Sequence, residues 1–365
     1  MNAAAPAGAA AAVELRLAHG LAFADLYRRE GLVRLDAAFV GFLRSADADL
    51  AAKVEAARAD PAALAARDES ALIIATAPHL ERFVSQLFGI ADAVLELAAQ
   101  HDALAPLYVV KRQFVQRRAA TKVKPADMAG FDPDTAAAEL ASRFGGAFDE
   151  LTFARHVDAW MQDDANRAAD LDLAARYAHW ALTTPAGRAR HAAGVLFKQP
   201  EKVDPQHLVH HMVEEARDGV QTFRMDAPNL RHREGFRLTD AGTDLVGALD
   251  ETNYCIWCHA QGKDSCSRGL REKPPADAPQ VVTFKKSPFG VTLAGCPLEE
   301  KISEFHTLKS KGVAIGALAV ICIDNPMVAA TGHRICNDCM KACINQKQEP
   351  VDIPQAETRT LKDVL

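Results

Sequence analysis

Eight cysteines stand at 255, 258, 266, 296, 322, 336, 339 and 343 of a 365-residue chain, and none precedes Tyr254. Thiols crowded into the last third of a chain point either to a disulfide framework or to metal, and the compartment decides between them. No stretch approaches the length of apolar sequence that spans a bilayer. The opening Met1-Asn2-Ala3-Ala4-Ala5-Pro6 is alanine-rich but has neither the basic start nor the leucine-rich run of a secretory leader. A cytoplasmic location is therefore expected, where thiols stay reduced, and the cysteines read as metal ligands.

The rest of the chain reads mostly as helix. From His79 to Gln100, residues Leu80, Phe83, Val84, Leu87, Ile90, Val94 and Leu97 recur on one face at helical spacing. Further helices are expected over Asp149–Gln162, burying Phe153, Val157, Trp160 and Met161, and over Asp164–Leu182, closed by Thr183-Thr184-Pro185. Strand-like runs are few, the best being Val220–Met225 and Gln280–Phe284. Beyond Gly219 the texture becomes irregular, with a proline-rich loop from Lys273 to Pro279. Two helices are expected after Cys296: one over Pro297–Lys311 with Gly312 as its cap, and an apolar, buried one over Val313–Asp324. The formal net charge of -6 offers nothing to nucleic acid.

Soft thiolates suit iron, and a two-residue spacer lets neighbouring cysteines face one metal centre. Cys255-Ile-Trp-Cys258 is one such clip, and Cys336-Asn-Asp-Cys339-Met-Lys-Ala-Cys343 a second, with Cys266 and Cys296-Pro297 between them. A cysteine followed by proline is how two-cluster ferredoxins send a ligand to the other cluster. The thiols suffice for two clusters. Rival readings exist. Cys255-Ile-Trp-Cys258-His259 also has the form of a haem attachment site, but no export signal accompanies it. Paired clips also describe zinc, which would make this a structural or interaction module without redox role. A thioredoxin-like role lacks the βαβ surroundings.

Gly295-Cys296-Pro297, a helix, Gly312, an apolar helix, Asn325-Pro326 and Thr331-Gly332-His333-Arg334-Ile335-Cys336 follow in an order that resembles the N-terminal iron–sulfur domain of the glutamate synthase small subunit and of dihydropyrimidine dehydrogenase. The tail from Glu349 to Glu357 continues the likeness, which spans about residues 250–365. The resemblance implies two [4Fe–4S] clusters, one on Cys255, Cys258, Cys266 and Cys343, the other on Cys296, Cys336, Cys339 and Glu357. Three departures bear on that partition: seven residues separate Cys258 from Cys266, a long loop separates Cys266 from Cys296, and the step from Cys336 to Cys339 is short. Cys322 is left over, either a core cysteine on the apolar helix or the last ligand in place of Glu357.

His207, His210, His211 and Glu214 have the spacing of a helix-borne metal site, but a solvated helix face after Asp204-Pro205 accounts for them better, since such spacing is a common accident. The basic run Lys111, Arg112, Arg117, Arg118, Lys122, Lys124 reads as a solvated face before it reads as a docking surface. There is no G-x-G-x-x-G after a strand and no Walker A loop. FAD and NAD(P)H are thus expected on a partner or a missing domain, and no catalytic residue is assigned here. The expected fold is mostly α: a helical domain of unknown role over 1–250, then a small α-helical ferredoxin-like domain with two iron–sulfur clusters over 251–365. The expected function is electron transfer within an NAD(P)H-linked, flavin-dependent oxidoreductase of the glutamate-synthase kind.

Overall fold

The computed structural model describes residues 15–209, 211–230, 232–238, 240–273, 282–332 and 335–365. Helices dominate. The first group comprises α1 (Arg29–Ala46), α2 (Ala48–Ala59) and α3 (Ala66–Phe88), which close around Leu21, Phe39, Leu43, Leu50, Val54, Phe83 and Leu87. The helix expected over 79–100 is in fact two. Gly89, with φ of 68°, takes the left-handed conformation that ends α3, and α4 (Ala91–Val110) starts afresh. The apolar spacing happened to continue in phase across the break, so periodicity alone did not reveal it.

α4 runs on into a nine-residue π-helix, Lys111–Ala119, and a last α turn, α5 (Ala120–Lys122). With α6 (Pro133–Phe144), α7 (Glu150–Met161) and α8 (Ala168–Thr183) it encloses the largest core, built on Phe114, Leu140, Phe153, Val157, Trp160, Tyr177 and Trp180. Asp149 caps α7 as its sequence suggests, accepting from the Thr152 amide at 2.9 Å. Thr184-Pro185 does end α8, and the same two residues cap and open α9 (Pro185–Arg190).

After α9 the chain turns irregular. Val220–Met225 is a strand (β2), as expected, and it pairs antiparallel with β1 (Met212–Arg217) across the tight Asp218-Gly219 turn. The expected strand Gln280–Phe284 falls partly outside the described residues, and Phe284 only bridges Arg271.

The C-terminal region contains α10 (Leu245–Tyr254), α11 (Ser265–Arg268), α12 (Ile302–Ser310), α13 (Ala314–Asp324), α14 (Val328–Thr331), α15 (Asp338–Ala342) and α16 (Ile353–Val364). Pro297 does not open α12. A turn from Cys296 to Glu300, with Glu299 at φ 52°, intervenes and delays the helix to Ile302. α13 is largely buried as expected, with Ala317, Val320 and Ile321 facing inward, but Cys322 and Ile323 face solvent.

This region is not a free-standing body. α3 carries Phe83 and Leu87 in the first core and Ala77 in the core of Phe305, Leu308, Val320, Val351 and Ile353. Glu81 of α3 accepts from the amides of Ile315 (2.7 Å) and Gly316 (3.2 Å), capping α13, and Ser70 donates to Glu304 at 2.6 Å. The fold is mostly helical with one two-stranded hairpin among the described residues. The ferredoxin-like two-cluster architecture does not stand: among those residues no three His, Cys, Asp or Glu side chains are placed to hold a metal ion. No helix among them is long and apolar enough to cross a membrane.

Candidate functional site

The Cys255-Ile-Trp-Cys258 loop follows α10. Trp257 holds a left-handed conformation with φ of 52°, costly for a large side chain and maintained only where neighbours over-determine it. Three contacts do so here. Its amide donates to Cys255 Sγ (3.4 Å), its indole N–H to the Thr252 carbonyl (3.2 Å), and the Arg112 guanidinium lies 5.3 Å from its ring centre. Cys255 and Cys258 thereby border one small pocket, with Cys266 from α11, Cys343 from the end of α15, and His306 from α12.

Burial shapes these thiols. It pushes Cys255 up to about 12 and Cys258 up to about 11. Cys266 donates to Cys343, which raises Cys266 and brings Cys343 down to about 7. Amides of Asn345 and Val351 also point at the Cys343 sulfur. Asp264, capping α11, is desolvated beside them and raised to about 6. His306 is fully buried and pushed down to about 3, and neither ring nitrogen has a partner among the described residues.

A second group lies one hydrogen bond away. The Cys296 amide donates to the Cys266 carbonyl at 2.8 Å, so the two groups share a backbone contact. The amides of Leu298 and Glu300 point at the Cys296 sulfur, and Cys339 lies within electrostatic reach of Cys296, Cys336 and Glu357. Glu357, on the inner face of α16, shares a proton with buried Glu300. Desolvation, first, and that shared proton, second, lift it to about 10. Cys255, Cys258, Cys266 and Cys343 border one pocket, whereas Cys336 is exposed and Cys296 half-buried.

Cys322 is in neither set. It is exposed on the outer face of α13, so both readings offered for it, core cysteine and last ligand, are corrected. The histidine constellation also dissolves. His207 sits in a turn against Asp204 (2.7 Å), His211 precedes β1 with φ of 60°, Glu214 lies in β1, and His210 is outside the described residues. A turn set by Asp204 and a strand replace the helix that would have aligned them.

The basic run is not one solvated face. The π-helix turns Lys111, Arg112 and Arg117 into a cleft of about 760 Å³ between the large core and the Cys255 loop. Arg118 points elsewhere, to Asp164 at 2.9 Å. Nothing in the spacing of the basic residues distinguishes a π-helix from an α-helix, and the cleft was missed for that reason.

A family profile described as the RP005 N-terminal alpha-helical domain matches residues 17–89, which coincide with the α1–α3 core. "Uncharacterized protein RP005" of Rickettsia prowazekii (strain Madrid E) is 30% identical over 291 residues, covering 77% of this chain and 94% of that protein. "Uncharacterized protein RP006" of the same organism is 69% identical over 39 residues, 11% of this chain and 6% of that protein. No solved structure matches. The resemblance to glutamate synthase and dihydropyrimidine dehydrogenase is overturned by these findings, since no iron–sulfur domain is among the matches. The labels drawn from it, an iron–sulfur oxidoreductase of that kind, lose their support, as no ion-holding group of side chains occurs among the described residues either. The extent and level of the match across nearly all of RP005 show that this chain belongs to the RP005 family.

Proposed function

We propose that the two cysteine groups are cofactor sites, each for a [4Fe–4S] cluster, and that the C-terminal region passes electrons. The observation that carries this reading is convergence. Thiols from three separate segments meet at one pocket, with backbone N–H groups aimed at the sulfurs as in thiolate centres tuned by hydrogen bonding. When bound, such a cluster takes up and releases single electrons.

The residues themselves set the conditions for loading. Cys343 is the thiol most readily ionised, while the hydrogen bond to it makes Cys266 hold its proton. Cys255 and Cys258 must each lose a proton against burial, so loading favours higher pH. The second group must in addition strip the proton shared by Glu357 and Glu300. The electron partner in this reading is a separate flavin- or NAD(P)H-binding protein or domain, since the sequence lacks a dinucleotide fingerprint.

Anaerobic reconstitution with iron and sulfide tests the reading. The full chain should take up about eight irons, and Cys343→Ala about four, as two clusters of four require. Cys322→Ala should match the parent, because its thiol is exposed on the outer face of α13. A colourless protein holding stoichiometric zinc under iron-replete, reducing conditions would overturn the reading in favour of a structural zinc module.

A further inference from the structure

The cleft beside the Cys255 loop has the size of a small-molecule site, about 760 Å³. Its floor is the π-helix Lys111–Ala119, a rare distortion that concentrates at functional sites. Tyr108, Tyr254 and Trp257 line its walls with Ile256.

The charges in it are unevenly engaged. Lys111 is paired with Asp250 at 2.6 Å, and Arg112 donates to the Asn253 carbonyl while lying over Trp257. The acids are occupied too. Asp352 caps α16, Glu349 accepts from the Glu201 amide, and Glu251 accepts from the Asp352 amide at 2.8 Å. Arg117 and Lys198 also line the cleft; neither side chain makes a close ion pair or hydrogen bond among the described residues, and Lys198 lies within electrostatic reach of Asp250 and Glu251. Two cations without a close ion-pair partner, in one cleft with aromatic walls, suit a charged oxygen group on a planar body.

We propose that this cleft binds a small organic anion, its carboxylate or phosphate held by Arg117 and Lys198 and its planar body laid against Tyr254, Ile256 and Trp257. The site is independent of metal in the cysteine groups, although Cys255 and Ile256 border both the cleft and the thiol pocket.

Calorimetric titration of the full chain with AMP, phthalate, inorganic phosphate and adenosine tests it, with Trp257 fluorescence as a second readout. AMP or phthalate should bind with a Kd below about 1 mM, and adenosine, which has the ring without the charge, should not. The comparison of AMP with phthalate separates phosphate from carboxylate recognition. Arg117→Gln with Lys198→Gln should weaken binding at least tenfold (a loss of roughly 1.4 kcal/mol), and Arg118→Gln should leave it unchanged. Iron uptake should be the same in all these variants, so failure here and failure of the cluster reading are distinguishable. The proposal is overturned if no probe binds below about 10 mM, if adenosine binds as well as AMP, or if the double variant binds like the parent.

Discussion

Glu251 shows how a single residue can report on the placement of its neighbours. It sits where α10 meets the start of α16, and desolvation raises its carboxyl to about 7 against an ordinary 4.5, partly countered by the Asp352 amide. The folded chain therefore keeps a proton that the unfolded chain releases. The stability linked to this group is fully present below about pH 4.5 and is lost as pH rises to about 7. The span corresponds to roughly 2–3 kcal/mol at this burial. Glu251→Gln retains an acceptor for the amide and removes the titration. In metal-free protein, its stability relative to the parent should climb by that amount between pH 4.5 and 7 in urea melts. A pH-independent difference would contradict the burial of Glu251. At this scale the candidate residues were legible in the sequence, because thiols and carboxylates announce their chemistry by type. Cys322 was not, since an apolar run does not say which face of its helix meets solvent.

Among the elements, the joint between the two cysteine groups depends on two glycines that approach each other. Gly295 has φ of 85°, and a Cβ there would lie 2.5 Å from the Gly269 nitrogen; Gly269 has φ of 80°, and its Cβ would lie 2.6 Å from the Ala294 oxygen. Both the conformation and the contact exclude a side chain, and together they bring the Cys296 amide onto the Cys266 carbonyl. Gly295→Ala should cost on the order of 2–4 kcal/mol by denaturant unfolding, from strain plus overpacking. Gly290→Ala, equally left-handed but with open space around it, should cost only about 1 kcal/mol. Equal losses would show that the close approach is not present. The sequence marked Gly295-Cys296-Pro297 as special without showing that Gly269 is its counterpart, because the two are far apart along the chain.

Over the whole molecule, α3 joins the segment matched by the RP005 profile to the cysteine-bearing region. Glu81 supplies the cap that α13 lacks in its own sequence. Burial raises the Glu81 carboxyl, so part of the benefit of the cap is offset by desolvation. Glu81→Ala should still cost about 1–3 kcal/mol, the range for a lost cap that leaves buried amides without a partner. Hydrogen exchange should quicken at Ile315 and Gly316 while amides in α7 and α8 keep their protection. Unchanged exchange at Ile315 would mean that α13 is held without α3. By itself the sequence determined the helical character, the end of α8 at Thr184-Pro185 and strand β2, and it singled out the cysteines by type. Each of these depends on residues close along the chain or on side-chain chemistry. Only the tertiary structure decided that Cys322 faces solvent and that the basic residues line a cleft. Those outcomes follow from which surfaces pack together, and packing joins residues whose separation along the chain carries no periodic signal.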